Sequence, residues 1–332
     1  MSEHASEHGS EHGWVSLHAF HQGDQDRLLR EAVAPLAREL TDGGRIAGWF
    51  FLRYWDGGPH VRLRALPSAG TPPEEIEQAF TKHVGAYLRD HPSEPSMGED
   101  EYARTAEMLA SWEEVEPGFA TLQPNDTVVP VPYRREHDRY GYGAAIEAVE
   151  RHFTDSSELA MRLLVSGASA GERSTAAFAM LLLAWLTCEP DPARLVGWIS
   201  SAPRREDPAA PLAPPPEPDA ERLDKGVAVA RRMRALTTLD PGHPGKGLLV
   251  EWLRSVRTLR GALQEELDRG ALRPPPSGWE GPGRVVADLS VLTVVDICAH
   301  LVCNRLAVDL PAEIGLRRLA VAALESITEK GS

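Results

Sequence analysis

Apolar and polar positions alternate with a period of two from Trp14 to His21 (WVSLHAFH), which predicts a first strand. The period then lengthens. Leu28, Leu29, Ala32, Val33, Leu36 and Leu40 share one face of a helix over 24–40, with Asp24 placed to cap it and Gly43-Gly44 to end it. Two strand-like runs, 48–56 (GWFFLRYWD) and 59–66 (PHVRLRAL), flank Gly57-Gly58 and predict a hairpin with a two-residue turn. A second helix is expected over 72–90 and a short strand over 127–131. From about Gly143 the pattern is helical almost throughout, with helices at 143–167, 172–187, 192–200, 219–237, 246–269, 284–307 and 312–328. The fold class is therefore α+β: an N-terminal antiparallel sheet with helices, then a mostly helical C-terminal half, forming one compact domain over 14–328.

Three stretches fall outside this pattern. Residues 1–13 repeat SEH and read as a disordered tail. Its His4, His8 and His12 could bind a metal loosely or simply be solvated. Residues 203–218 (PRREDPAAPLAPPPEP) exclude helix and central strand and read as an exposed insertion. Residues 274–283 form a second, shorter loop.

Composition narrows the function. The net charge of −14 gives no footprint for a nucleic-acid backbone, so no direct nucleic-acid partner is expected. The longest apolar run, AAFAMLLLAWL, is too short to span a bilayer and reads as a buried helix. No signal peptide is visible. The three cysteines, Cys188, Cys298 and Cys303, include no CxxC and fit no disulfide framework, which points to free thiols and a cytoplasmic protein. His and Cys lack metal-ligand spacing, and no dinucleotide or phosphate-loop fingerprint occurs, so neither metal nor cofactor is expected.

Three places carry chemistry. In the predicted hairpin, His60, Arg62 and Arg64 share a face, and a Gly57-Gly58 turn would set Arg53 opposite Arg62 and Trp55 opposite His60. Three arginines and a histidine together need anions. These are either a ligand or helix carboxylates such as Glu74, Glu75 and Glu77. A helix covering Val61 and Leu63 would leave the arginine face open. Second, YRREHDRYGYG (133–143) packs titratable side chains before a helix start, either as a site or as a charged surface turn. Glu136 and Arg139 could pair there. Third, in DICAHLVCNRL, Asp296, His300 and Asn304 line one face of an apolar helix. Asp296 could fix the imidazole tautomer and raise its pKa, and the histidine could equally be a satisfied core residue.

In this order, RYWD, PHVRLR, YRREHDRYG and AHLVCNR resemble the elimination domain at the C-terminus of class I lantibiotic dehydratases, a domain that also stands alone in thiopeptide biosynthesis. The resemblance runs from Trp14 to about Leu324. It implies an enzyme acting on a ribosomal precursor peptide (leader plus core), with a separate tRNA-dependent glutamylation protein as pathway partner and a homodimer as one conceivable assembly. By resemblance, His300 matches the acid/base histidine, Arg62 or Arg64 and Arg139 the arginines that handle a glutamyl group, and Glu136 the acidic residue before RYG. His300, Arg62 and Arg139 are the expected catalytic residues. Arg53, His60, Arg64, Glu136, Tyr140, Asn304 and Arg305 are the expected substrate contacts. Two positions depart from the family pattern: Tyr142 follows Gly141 where a second Gly is usual, and Ala307 stands where Gly is common.

The first reading is a carbon–oxygen lyase that eliminates glutamate from glutamylated Ser or Thr, leaving dehydroalanine or dehydrobutyrine. The second is a pyridine-forming [4+2] cycloaddition enzyme that joins two dehydroalanines and expels the leader. The third is a non-catalytic subunit that presents peptide to a split dehydratase.

Overall fold

The computed structural model describes residues 13–113, 118–200, 217–240, 242–272 and 290–329. The SEH repeats, nearly all of the proline-rich insertion and the 274–283 loop lie outside the described residues. The chain divides into two compact units, Met1–Arg135 and Glu136–Ser332, so the change from sheet to helices falls close to where the periodicity places it.

In the first unit, β1 (Val15–Phe20) leads into α1 (Gln25–Leu28), which runs through a π turn, Leu29–Val33, into α2 (Ala34–Asp42). Asp24 caps this run by accepting a hydrogen bond from the Arg27 backbone N–H. β2 (Ile46–Tyr54) and β3 (His60–Pro67) form the hairpin, followed by α3 (Pro73–Asp90), α4 (Glu99–Glu113) and β4 (Thr127–Pro130). The sequence reading has no helix at α4, whose first turn carries Glu99, Asp100 and Glu101. The strands make one antiparallel sheet in the order β2-β3-β1-β4.

The hairpin corrects one expectation. Tyr54, not Trp55, lies opposite His60, and Arg53 lies opposite Val61. A slip of one residue moves a side chain to the other face of a sheet. Arg53 thus leaves the arginine face, joins the Val61/Leu63 face and pairs with Asp26 of α1. The cause is a loop longer than two residues, 55–59, which closes with the Gly58 N–H donating to the Trp55 carbonyl at 2.7 Å and is also tied to its neighbours. The Asp56 carboxylate accepts the Gly118 and Phe119 N–H groups, and the Gly57 N–H donates to the Tyr102 hydroxyl. Gly57 and Gly58 both have positive φ (87° and 103°).

In the second unit, α5 (His137–Tyr140) precedes α6 (Ala144–Val165), α7 (Ala170–Cys188), α8 (Pro192–Ser200), α9 (Ala220–Leu236), α10 (Leu248–Asp268), α11 (Ser290–Arg305) and α12 (Leu310–Glu329). α7 is buried on all sides from Ala177 to Thr187, as its unbroken apolar run predicts. It packs against α9, α10, α11 and α12. Its Trp185 and the Trp252 of α10 are both fully buried. Among the described residues, no helix is long and apolar enough to cross a membrane.

Candidate functional site

In the first unit, the observed register puts Ser16, His18 and Phe20 of β1 on one face with His60, Arg62 and Arg64 of β3 and Phe50, Leu52 and Tyr54 of β2. The face is not open. His60 is fully buried, His18 and Arg64 are buried, and Phe119 lies against both His18 and Phe20. The His18 and His60 rings stack, with centroids 4.6 Å apart.

Hydrogen-bond logic fixes both tautomers. His60 Nδ1 lies 2.9 Å from the Gly58 carbonyl, which only accepts, so Nδ1 carries the proton and Nε2 is a bare acceptor. His18 Nε2 lies 3.2 Å from Arg64 Nη2, which only donates, so the His18 proton is on Nδ1. Among the described residues, neither His18 Nδ1 nor His60 Nε2 has a hydrogen-bond partner. Burial, then the neighbouring Arg64, His60 and Arg62 charges, drives the His18 pKa far down. Burial takes His60 to about 3, against the Gly58 bond, so the pair is neutral.

The arginines on this face are engaged from within. Arg64 Nη1 donates to the Leu63 and Leu17 carbonyls at 3.0 and 3.4 Å. The Arg62 guanidinium lies 3.4 Å over the Tyr54 ring and 3.9 Å from Asp56.

In the second unit, Glu136 and Arg139 pair across one turn at 3.3 Å, and both are about half-exposed. Tyr142 is exposed and its ring stacks flat on His137, 4.5 Å away. Tyr140 is buried with its ring edge-on to Phe153. Burial, reinforced by Glu136, pushes its pKa well up. Arg305, also fully buried, has its guanidinium carbon 5.2 Å from the centre of the same Phe153 ring, and burial lowers its pKa to about 10. Tyr140 and Arg305 therefore meet in the core rather than at an open surface. Asn304 is half-buried on α11.

His300 corrects a second expectation. Its Nδ1 donates to Glu313 Oε2 of α12 at 2.7 Å, not to Asp296. Asp296 instead accepts from Arg317 Nη1 at 2.8 and 3.1 Å and from the Trp185 indole N–H at 2.7 Å. Arg317 Nε closes the chain by donating to Glu313 Oε1 at 2.8 Å. Burial opposes the charged imidazole, but the hydrogen bond and charge of Glu313 outweigh it and the His300 pKa is raised.

Sequence reasoning missed His18 and Glu313. The alternation of WVSLHAFH places His18 on a face with Ser16 and Phe20, but only the β1–β3 register brings it to His60. Glu313 has no local link to His300, thirteen residues earlier and on another helix. His152, Ser255 and Asp155 also meet: His152 Nδ1 lies 2.9 Å from Ser255 Oγ, which donates to Asp155 at 2.6 Å. The hydroxyl hands its proton to the carboxylate rather than to the imidazole, so the trio is a structural bridge and not a nucleophile with its base. Among the described residues, no group of three His, Cys, Asp or Glu could hold a metal ion.

Gly141, which keeps the family's glycine, and Ala307, which departs from it, have opposite backbone consequences. Gly141 has φ 88°, and a Cβ there would come within 2.9 Å of the Ala145 Cβ. Ala307, just past α11, has φ 55°, in the region that favours glycine. Gly141→Ala should therefore destabilise by about 2–5 kcal/mol, from strain plus overpacking. Ala307→Gly should stabilise by up to about 1 kcal/mol, from relief of left-handed strain partly offset by chain entropy. Urea unfolding midpoints that move in opposite directions would bear this out.

The family described as lantibiotic biosynthesis dehydratase C-term matches residues 14–324. Three solved structures are similar. The pyridine synthase TbtD from thiomuracin biosynthesis is 18% identical with a TM-score of 0.69, over 96% of this chain and 99% of that one. TsrL is 19% identical with a TM-score of 0.60, over 95% of each chain. The tRNA-dependent lantibiotic dehydratase MibB from Microbispora sp. 107891 is 21% identical with a TM-score of 0.60, over all of this chain but 29% of that one. No curated protein matches.

Proposed function

Because the chain belongs to the lantibiotic biosynthesis dehydratase C-terminal family, we propose that it is a peptide-modifying enzyme closing a pyridine ring from two dehydroalanines of a ribosomal peptide, with loss of the leader. The observation that carries this over glutamate elimination is that the arginines expected to anchor glutamate already have partners within their own units. An elimination site needs cations free to anchor the glutamyl carboxylates. Here Asp26 holds Arg53, Asp56 faces Arg62, backbone carbonyls and His18 take up Arg64, and Glu136 pairs with Arg139. The bare Nε2 of His60 would repel a carboxylate. Dehydroalanines are neutral and ask for no such anchor. The similarity in length and fold to a pyridine synthase points the same way.

Two groups must leave once the ring has closed. The α-carbon of one dehydroalanine carries the nitrogen of the preceding peptide bond, and aromatisation breaks that C–N bond. The nitrogen departs as a neutral amide only if it gains a proton. The amide carbonyl whose carbon joins the ring loses its oxygen, by then a hydroxyl, as water, which needs a proton too, while one proton from each ring CH2 is lost to balance the two. A histidine with a raised pKa is more fully charged near neutral pH, as a proton donor requires. His300 is the residue we place in that role. The substrate would be a leader-bearing precursor peptide, dehydrated beforehand by separate glutamylating and eliminating proteins. Unpaired Cys188, Cys298 and Cys303 are in keeping with a cytoplasmic setting.

Two peptides test the assignment. With a peptide holding two dehydroalanines, the protein should yield a pyridine-containing ring and a leader ending in carboxamide, both read by mass spectrometry. With a glutamylated peptide it should release no glutamate. Glutamate release would restore the elimination reading, and inactivity on both peptides would favour the presenting subunit.

A further inference from the structure

His300 and Glu313 form a half-open pair. The His300 side chain is 45% exposed, while Glu313 is 3% exposed. The hydrogen bond at Nδ1 therefore anchors one edge of the ring in the protein and leaves Nε2 on the edge away from Glu313. A buried carboxylate on a single histidine would be costly to desolvate. Glu313 escapes that cost because its second oxygen accepts from Arg317, and Arg317 is itself clamped by both oxygens of Asp296. Trp185 Nε1 fixes Asp296, and the Arg317 guanidinium lies 5.5 Å from the centre of the Trp185 ring. Charges thus alternate along four side chains: imidazole, carboxylate, guanidinium, carboxylate.

From this geometry we propose that Glu313, braced by Arg317 and Asp296, is the positioning residue that keeps His300 protonated at Nδ1 and presents its Nε2–H as the proton donor. The inference rests on the reading of His300 given above and adds what makes it a donor. Charge and orientation come from the same contact, since the carboxylate that selects Nδ1–H also favours the imidazolium.

The surroundings contribute little that competes. On the same helix are Asp296 and the buried thiol of Cys303. α12 brings Glu313 and Arg317. α7 brings Trp185 and Cys188, whose thiol burial pushes up to about 12, and α10 brings Arg260 near Cys188. α6 brings His152, which lies toward Arg305 and is neutral because burial lowers it to about 3.

The test pairs an NMR titration with a rate profile. In the unmutated chain, the His300 imidazole should titrate above its ordinary value of 6.5, with the proton retained on Nδ1 in the neutral form. In Glu313→Gln the titration should move down. kcat/KM for pyridine formation from the dehydrated peptide should fall on the alkaline side by about tenfold per unit of that shift. On the acid side it should stay near the unmutated rate. Glu313→Asp, which keeps the charge, should recover most of the alkaline rate. A His300 that titrates at or below 6.5 in the unmutated chain overturns the inference, and needs no variant to fold. So does an equal rate loss at every pH, which is what a merely structural role would give. If the NMR shifts occur but pyridine formation does not follow them, the hold of Glu313 on His300 stands and the proton-donor reading falls.

Discussion

His300→Asn should lower pyridine formation by roughly 10²–10⁴-fold while leaving the protein folded. Asparagine can still donate to Glu313 from its side-chain amide, so the buried carboxylate keeps a partner and the Arg317–Asp296 clamp is not disturbed. The lost group is the ionisable edge. Since the side chain is half-exposed, little packing goes with it. The effect should fall on kcat more than on KM, because a proton donor acts on the departing amide nitrogen and not on the resting peptide. The check is the initial rate of leader-carboxamide release, with the unfolding midpoint measured on the same samples. A variant within a few-fold of the unmutated rate would remove His300 from the chemistry.

The second large effect is acid unfolding at a pH where carboxylates are still ionised. His18, His60 and His152 are buried and neutral, each with a depressed pKa for which burial is the leading cause. A histidine whose folded pKa lies below its unfolded one stabilises fully above the unfolded value of 6.5, and that contribution is lost as pH falls toward the folded value. For His60 and His152 that window runs from 6.5 to about 3, and for His18 it extends lower. Well below pH 6, three such groups together cost roughly 4 kcal/mol per pH unit. Against a total stability of about 5–15 kcal/mol, this places the unfolding midpoint between about pH 3 and 5, higher the less stable the fold. The reduction of a net charge of −14 on acidification acts the other way by easing self-repulsion. Loss of stability from pH 6.5 downward, followed by circular dichroism, would therefore identify the histidines. Their partial replacement, as in His152→Gln, should move the midpoint to lower pH if the variant folds as stably at pH 8. The His300–Glu313 pair has a different profile. Its histidine contribution is complete below 6.5 and lost as pH rises through the raised pKa, and its carboxylate contribution is complete above 4.5 and lost in acid.

Much of this molecule is written locally. Period-two alternation marked β1 and the hairpin. Period 3.6 located the helices of the second unit to within a few residues, since each buries a continuous apolar stripe that any helix must turn inward. Asp24 as a cap and the Glu136–Arg139 pair are contacts within one turn, so spacing alone reveals them. The motifs PHVRLR, RYG and AHLVCNR likewise identified the family, which the match over residues 14–324 bears out.

What the tertiary structure decided lies at contacts between distant segments. The hairpin register is set by a five-residue loop that closes on the Trp55 carbonyl and is tied to Gly118, Phe119 and Tyr102, and that register sends Arg53 to the other face. The partner of His300 turned on which helix supplies a carboxylate. Asp296 is one turn away on the same helix, but Arg317 and Trp185 claim it, leaving Glu313. His18 became part of the hairpin face only through its register with β3. Local periodicity fixes which way a side chain points relative to its own element. Which of several charges it meets is a competition among segments far apart in the chain, and only the folded packing resolves it.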